Sequence, residues 1–200
     1  MKLRTYIVFA LFFTLGSFNA YSQDSISKSA SNKSSQIYIE TDPTALFFNG
    51  FSLAVRRSST LAKILNLGLG IYTTKLPDFY IEAEETNKGK GWEGRNMGID
   101  GFIDYYIFNP NKGLSVGLTL SLYKFSIERN NQQTSYHSFI ETLRIGYLWR
   151  PIKKFDSVYV FPWVGLSTGQ KISGNNEIDG ETFTTPKWNF VPAFQIGYSF

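Results

Sequence analysis

Residues 96–122 read "NMGIDGFIDYYIFNPNKGLSVGLTLSL". In the first half Met97, Ile99, Ile103, Tyr105 and Ile107 alternate with Asn96, Gly98, Asp100, Phe102, Asp104 and Tyr106. Past the turn "NPNK", Leu114, Val116, Leu118, Leu120 and Leu122 alternate with Gly113, Ser115, Gly117, Thr119 and Ser121. Successive side chains of a strand point to opposite faces, so both segments read as strands with one apolar face and one small or polar face. A soluble barrel turns its apolar face inward and shows water a face rich in Lys and Glu. Here the second face is Gly, Ser, Thr, Asn and Asp, which suits a crowded lumen and leaves the apolar face for lipid. The segments are also long: roughly 9 to 11 tilted residues cross a bilayer, whereas soluble strands average about 5 to 6.

The same alternation recurs along the chain and places strands near 36–48, 51–58, 61–74, 94–108, 113–128, 135–150, 156–171 and 187–200. That pattern predicts an all-β fold, a transmembrane antiparallel up-and-down barrel of about eight strands, over residues 36–200. Asn49-Gly50 reads as a two-residue hairpin turn, because both residues tolerate positive φ. The connections "SST", "NPNK" and "PIKKFD" are short, while residues 75–93 and 172–186 are long; short turns on one rim and longer loops on the other fit the periplasmic and outer ends of such a barrel. After Leu122 the apolar positions shift to Tyr123, Phe125 and Ile127, which predicts a bulge or a strand leaving the membrane. Pro43 and Pro162 fall within expected strands, where proline favours an edge or a bulge.

Ahead of the barrel, "MKLRTYIVFALFFTLGSFNAYSQ" has basic Lys2 and Arg4, an apolar stretch from Tyr6 to Phe18 and a small-x-small site at Ala20-Tyr21-Ser22. It reads as a signal peptide over residues 1–22, cleaved after Ser22, and its apolar part is too short to stay as a spanning helix. Residues 23–35 hold six serines and no aromatic ring, the composition of a flexible leader. The chain has no cysteine, which removes disulfides, thiolate metal sites, a catalytic thiol and a lipidated cysteine from consideration. The net charge of +4 includes Lys2 and Arg4, so the remainder is close to neutral and argues against a nucleic-acid partner.

In the last strand Phe194, Ile196, Tyr198 and Phe200 share a face, opposite Ala193, Gln195, Gly197 and Ser199. Taken with the signal peptide and eight alternating segments, this stretch resembles the small outer-membrane β-barrel proteins of Gram-negative bacteria. The resemblance implies residence in the outer membrane among its lipid and lipopolysaccharide, and implies that Phe194, Ile196, Tyr198 and Phe200 form the signal read by the barrel-assembly machinery. It leaves the role open, since such barrels include enzymes, adhesins and stabilising proteins.

An eight-stranded lumen is just wide enough for side chains to fill it, so a wide, porin-like diffusion pore is not expected. The alternation points Arg56, Asn66, Asp100, Asp104, Arg144 and Gln195 inward, where charges withdrawn from water must pair into a polar plug. The single histidine, His137, stands near Ser138 and Glu141, the residue types with which some outer-membrane enzymes deacylate lipid A. Adjacent strand residues diverge, however, so His137 and Ser138 face opposite ways. The oxygen-rich "SGNNEIDGE" lacks the spacing of a calcium loop and reads as a solvated loop; no metal or cofactor is expected. The loop "KLPDFYIEAEETNKGKGWEGR" mixes aromatic and charged residues, and its first part reads as a continuation of the strands beyond the membrane. Three functions follow in order: a non-enzymatic barrel serving envelope integrity or surface interaction, a lipid-modifying enzyme using His137, and a soluble periplasmic lipocalin-like binder.

Overall fold

The computed structural model describes residues 36–59, 64–152 and 154–200. The expected signal peptide and leader lie outside the described residues. Eight long strands form the wall: β1 (Ile37–Thr41), β2 (Phe51–Ser58), β3 (Leu65–Lys75), β4 (Glu93–Tyr106), β5 (Gly113–Arg129), β6 (Gln132–Leu148), β7 (Val158–Gly174) and β10 (Asn189–Ser199). A small hairpin, β8 (Glu177–Ile178) and β9 (Glu181–Thr182), interrupts the last connection, and two one-turn helices, α1 (Thr44–Phe47) and α2 (Asp78–Ile81), interrupt the first and third. Each wall strand pairs antiparallel with its neighbour in the chain, and β10 closes the sheet on β1. The fold is therefore an all-β, closed, up-and-down barrel.

Following paired residues once around the wall shows how it closes. Phe190 lies opposite Leu166, and the path continues through Leu143, Leu118, Ile103, Leu67, Arg57 and Ile37. Ile37 accepts the backbone N–H of Phe200, so one circuit advances from Phe190 to Phe200. That stagger makes the strands tilt and opens the interior enough to hold large side chains.

The outer face carries Leu53, Val55, Leu67, Leu69, Ile71, Met97, Ile99, Leu143, Ile145, Val164 and Leu166, all exposed, with Leu69 at 74%. An apolar surface that runs around the wall is incompatible with a free soluble barrel and is what a lipid-facing wall requires. Aromatic residues collect at its two margins: Tyr147, Trp149, Tyr198 and Phe200 toward the short turns, and Phe51, Trp188 and Phe190 toward the long loops. No helix among the described residues is long and apolar enough to cross a membrane.

Several sequence expectations are corrected. β1 stops at Thr41 rather than running to 48, because Pro43 starts α1 and cannot donate to a ladder. Asn49-Gly50 is accordingly the end of α1, not a two-residue hairpin: Asn49 takes a left-handed φ of 51° and the Gly50 N–H returns to Ala45 O at 2.9 Å. The tight hairpin is Asn130-Asn131 between β5 and β6, with φ of 52° and 61°. No bulge follows Leu122, since pairing of β5 with both neighbours runs unbroken through Tyr123, Phe125 and Ile127. Those three side chains keep facing inward; it is the lumen that turns apolar there. The register shift lies instead at His137/Ser138, between β6 and β7. Pro162 opens a gap in the β6–β7 ladder, which stops at Gly146/Trp163 and resumes as the single bridge Trp149/Val160. Residues 78–87 form helical turns rather than strand extensions, and "SGNNEIDGE" folds back as β8–β9.

Candidate functional site: the filled lumen

Toward the short turns the lumen is closed by an ionic and aromatic plug. Arg56, 1% exposed, donates to Glu40 Oε1 at 2.6 Å and to Asp104 Oδ2 at 2.7 Å. Arg144 holds the other side of Asp104, through Nε to Oδ1 at 3.0 Å and Nη2 to Oδ2 at 2.8 Å. Tyr159 donates its hydroxyl to Glu40 Oε2 at 2.8 Å. Two cations and two carboxylates thus neutralise one another where neither pair could stay charged alone. The guanidinium groups also lie against rings: Arg56 is 5.0 Å from the centre of Phe102 and 4.8 Å from that of Phe161, and Arg144 is 4.8 Å from Phe102 and 5.2 Å from Trp163. Tyr38, Tyr106, Leu148, Tyr159 and Phe161 pack below as one buried cluster.

Inward glycines make this density possible. A Cβ on Gly117 would stand 2.1 Å from Asp104 Oδ1, one on Gly68 2.1 Å from the Phe102 ring, and one on Gly197 2.2 Å from the Tyr159 ring. Alternating a glycine on one strand with a large side chain on the next is how the wall leaves room for its filling.

The expected inward residues occupy different places in this arrangement. Arg56, Asp104 and Arg144 form its centre, and Gln195 approaches Arg56 Nη2 at 3.4 Å. Asn66 is fully buried opposite Asp104 but its amide makes no hydrogen bond in the structure. Asp100 stands apart, accepting from Ser121 Oγ at 2.6 Å and Tyr123 OH at 2.9 Å, both on Oδ1. Glu40 and Tyr159 complete the plug and were missed; the alternation in "IYIET", with Ile37 and Ile39 outward, marks Glu40 as inward.

Toward the long loops the lumen is closed by a different device. Leu76, Ile81, Trp92, Phe125, Ile127, Tyr136, Ile178 and Phe183 form one buried apolar cluster drawn from wall and loops. Phe125 stacks on Tyr136 with ring centres 5.1 Å apart, and Trp92 meets Phe183 edge-on at 5.5 Å. Asn87 ties the two long loops together: its amide donates to Ile81 O and Thr184 O and accepts from the Thr184 N–H at 3.0 Å. Lys90 pairs with Glu181 at 2.5 Å, holding that carboxyl below its usual range. Burial pushes the Tyr80 hydroxyl up to about 12. The oxygens of β8–β9 are engaged by protein, Asp179 by Gln132 at 2.8 Å and Asn176 by Lys171 at 2.7 Å.

His137 is exposed on the outer face of β6, while Ser138 points into the lumen at 2% exposure with its hydroxyl unpartnered. Glu141 faces outward between Leu120 and Thr168. The serine beside His137 is Ser173 of β7, with Oγ 3.2 Å from Nδ1. Phe194, Ile196, Tyr198 and Phe200 all lie on the outer face of the last strand and its end, the last two with ring centres 4.9 Å apart.

These features define a closed eight-stranded antiparallel barrel with an apolar exterior and a lumen sealed at both ends. No family model matches the chain, and no curated protein matches it in sequence. Among solved structures it is similar to a major outer membrane protein from Thermus thermophilus, at 15% identity over 84% of this chain and 100% of that one, TM-score 0.49. It is also similar to the N-terminal β-barrel domain of Pseudomonas aeruginosa OprF (12% identity, 83% and 96% covered, TM-score 0.42) and to Neisserial surface protein A (12%, 82% and 92%, TM-score 0.34).

Proposed function

We propose that this chain is an integral outer-membrane barrel that does not conduct, serving envelope integrity or surface interaction through its ordered loops. The observation that carries this reading is the combination of an apolar outer wall with a lumen filled by the Arg56–Asp104–Arg144 plug and by the Trp92–Phe183 cap. A wall of this kind needs lipid outside, and a lumen of this kind leaves no continuous water path through the barrel axis. The loops are held by a buried core and by Asn87, so they present a fixed surface rather than a flexible fringe. The outward aromatic face of β10 suits recognition by the assembly machinery. The test is cell fractionation, with gel mobility compared before and after heating in detergent. Outer-membrane recovery with a heat-dependent shift supports the reading, together with planar-bilayer records that lack steady open steps. Recovery in the soluble periplasm without a shift overturns it.

One contact favours a second reading, a lipid-modifying enzyme at His137: the 3.2 Å approach of Ser173 Oγ. A hydroxyl beside an imidazole is the start of an activated nucleophile, and it replaces Ser138, which faces away. Among the described residues no carboxylate is hydrogen-bonded to His137, so the third group of an activated nucleophile is not found among them. Unchanged lipid A composition in His137→Ala and Ser173→Ala strains, against a deletion strain that does change it, removes this reading.

A further inference from the structure

The wall has a gap. β10 pairs with β7 along Asn189–Tyr198, but with β1 only from Ile196 onward. β2 pairs with β3 from Phe51, but with β1 only from Ala54. Because β1 ends at Thr41, the loop-side half of β10 faces the loop-side end of β2 with no strand between them. The Phe200 N–H bonds to Ile37 O, so by alternation the even-numbered residues of β10 aim their backbone groups toward this side. Phe190, Pro192 and Phe194 therefore form the open edge, and Pro192 removes one N–H that would lack a partner there. An uncovered strand edge at membrane depth is costly and calls for something to fill it.

Behind the gap lies a cavity of about 580 Å³, between plug and cap. Its lining includes every residue from Phe190 to Gln195, inward and outward alike, which a strand paired on both sides does not permit. The cavity has apolar and aromatic walls, among them Phe102, Tyr123 and Trp163, and two buried polar atoms without partners, Thr119 Oγ1 and Trp163 Nε1. Thr119 is 8% exposed. Three charged side chains line the cavity: Asp42, Asp100 and Arg144. Arg144 is committed to Asp104 and three rings, and Asp42 accepts from Thr44. Asp100 takes part in no ion pair among the described residues. The pocket is thus apolar and ring-lined, with Asp100 as an acid outside any ion pair among the described residues, the combination that selects an organic cation.

We propose that the gap between β2 and β10 is a side portal through which a single-chain amphiphile with an ammonium head enters the lumen from the membrane, its head at Asp100 and its chain passing out beside Phe194. This rests on the outer-membrane reading above. The probes are dodecylamine, dodecanol and dodecanoate, titrated into the full chain in phosphatidylcholine nanodiscs while amide NMR shifts are followed. Thr119, Ser121 and Thr142 should shift saturably with dodecylamine, with Leu118 and Leu143 on the outer wall reporting simple partition into the bilayer. Dodecylamine should bind roughly tenfold more tightly than dodecanoate, the low end for a charge pair in a partly polar interior. Asp100→Asn should erase that preference, and Ala193→Trp, whose inward ring fills the cavity behind the gap, should abolish the saturable shifts while keeping the heat-dependent mobility. Should Ala193→Trp fail to assemble, Asp100→Asn alone decides. Equal binding of all three probes, an unchanged preference in Asp100→Asn, or shifts confined to the outer wall overturns the portal while the membrane reading stands. A chain that never enters the discs overturns both.

Discussion

The two ends of the lumen are closed by opposite chemistry. One end uses four charges and the faces of Phe102 and Phe161; the other uses a core of Trp92, Phe125, Tyr136 and Phe183 like that of any soluble domain. Their surroundings account for the difference. At membrane depth the wall already faces lipid, so an apolar filling gains less from leaving water, and a charged filling is tolerated where its members pair with one another. Above the membrane the loops stand in water, and burying rings against the strand ends is the ordinary hydrophobic gain.

This contrast makes the plug the less forgiving end. Asp104→Ala leaves Arg56 and Arg144 facing each other without their shared carboxylate and should cost about 3–5 kcal/mol, read as a lower urea midpoint for refolding into detergent or as failure to assemble. Phe125→Ala removes a ring from the cap and should cost about 3 kcal/mol, but with a different signature. Amide exchange should rise in the loops around Ile81 and Ile178 while the heat-dependent gel shift persists. If instead the Phe125 variant loses the shift and the Asp104 variant keeps it, the assignment of the two ends is reversed. On the wall between them, Leu69→Arg places a charge at an outward, 74% exposed position and should cost about 2–3 kcal/mol when the site lies near the bilayer midplane. That loss should appear in lipid vesicles and shrink at positions close to either rim.

The smallest effect concerns pH. Lys90 holds the Glu181 carboxyl below its usual range, so the folded form binds its proton less readily than the unfolded chain. The contribution is present above the ordinary carboxylate range and is lost as pH falls through the lowered value. Protection factors of β8–β9 amides should therefore decline below about pH 4.

The same contrast explains what could be read from the sequence. Wall strands were legible because an inside and an outside impose period two over ten or more residues, as in Leu114–Leu122. Arg56, Asp104 and Arg144 were legible as inward for the same reason, though their mutual contacts depend on a register that no single strand encodes. The cap was not legible. Tyr123, Phe125 and Ile127 keep the face of Ser121, yet the sequence pattern inverts there because the lumen changes from polar to apolar, which mimics a bulge. Pro43 held the information that β1 is short, and with it the gap beside β10, but a proline alone does not say whether a strand ends or bends. Ser173 beside His137 came from the pairing of β6 with β7, including a register shift, and had no local signal.

The most direct test of the account uses the absence of cysteine. Single cysteines placed one at a time at residues 114–122 of β5, spin-labelled and reconstituted into vesicles, report access to oxygen in lipid and to a nickel chelate in water. A lipid-facing wall around a plugged lumen predicts high oxygen access at Leu114, Val116, Leu118, Leu120 and Leu122, and low access to both reagents at Ser115 and Gly117 beside the plug, wherever the variant assembles. Nickel access along the even positions, or oxygen access at Ser115 and Gly117, would contradict a lipid-facing wall around a plugged lumen.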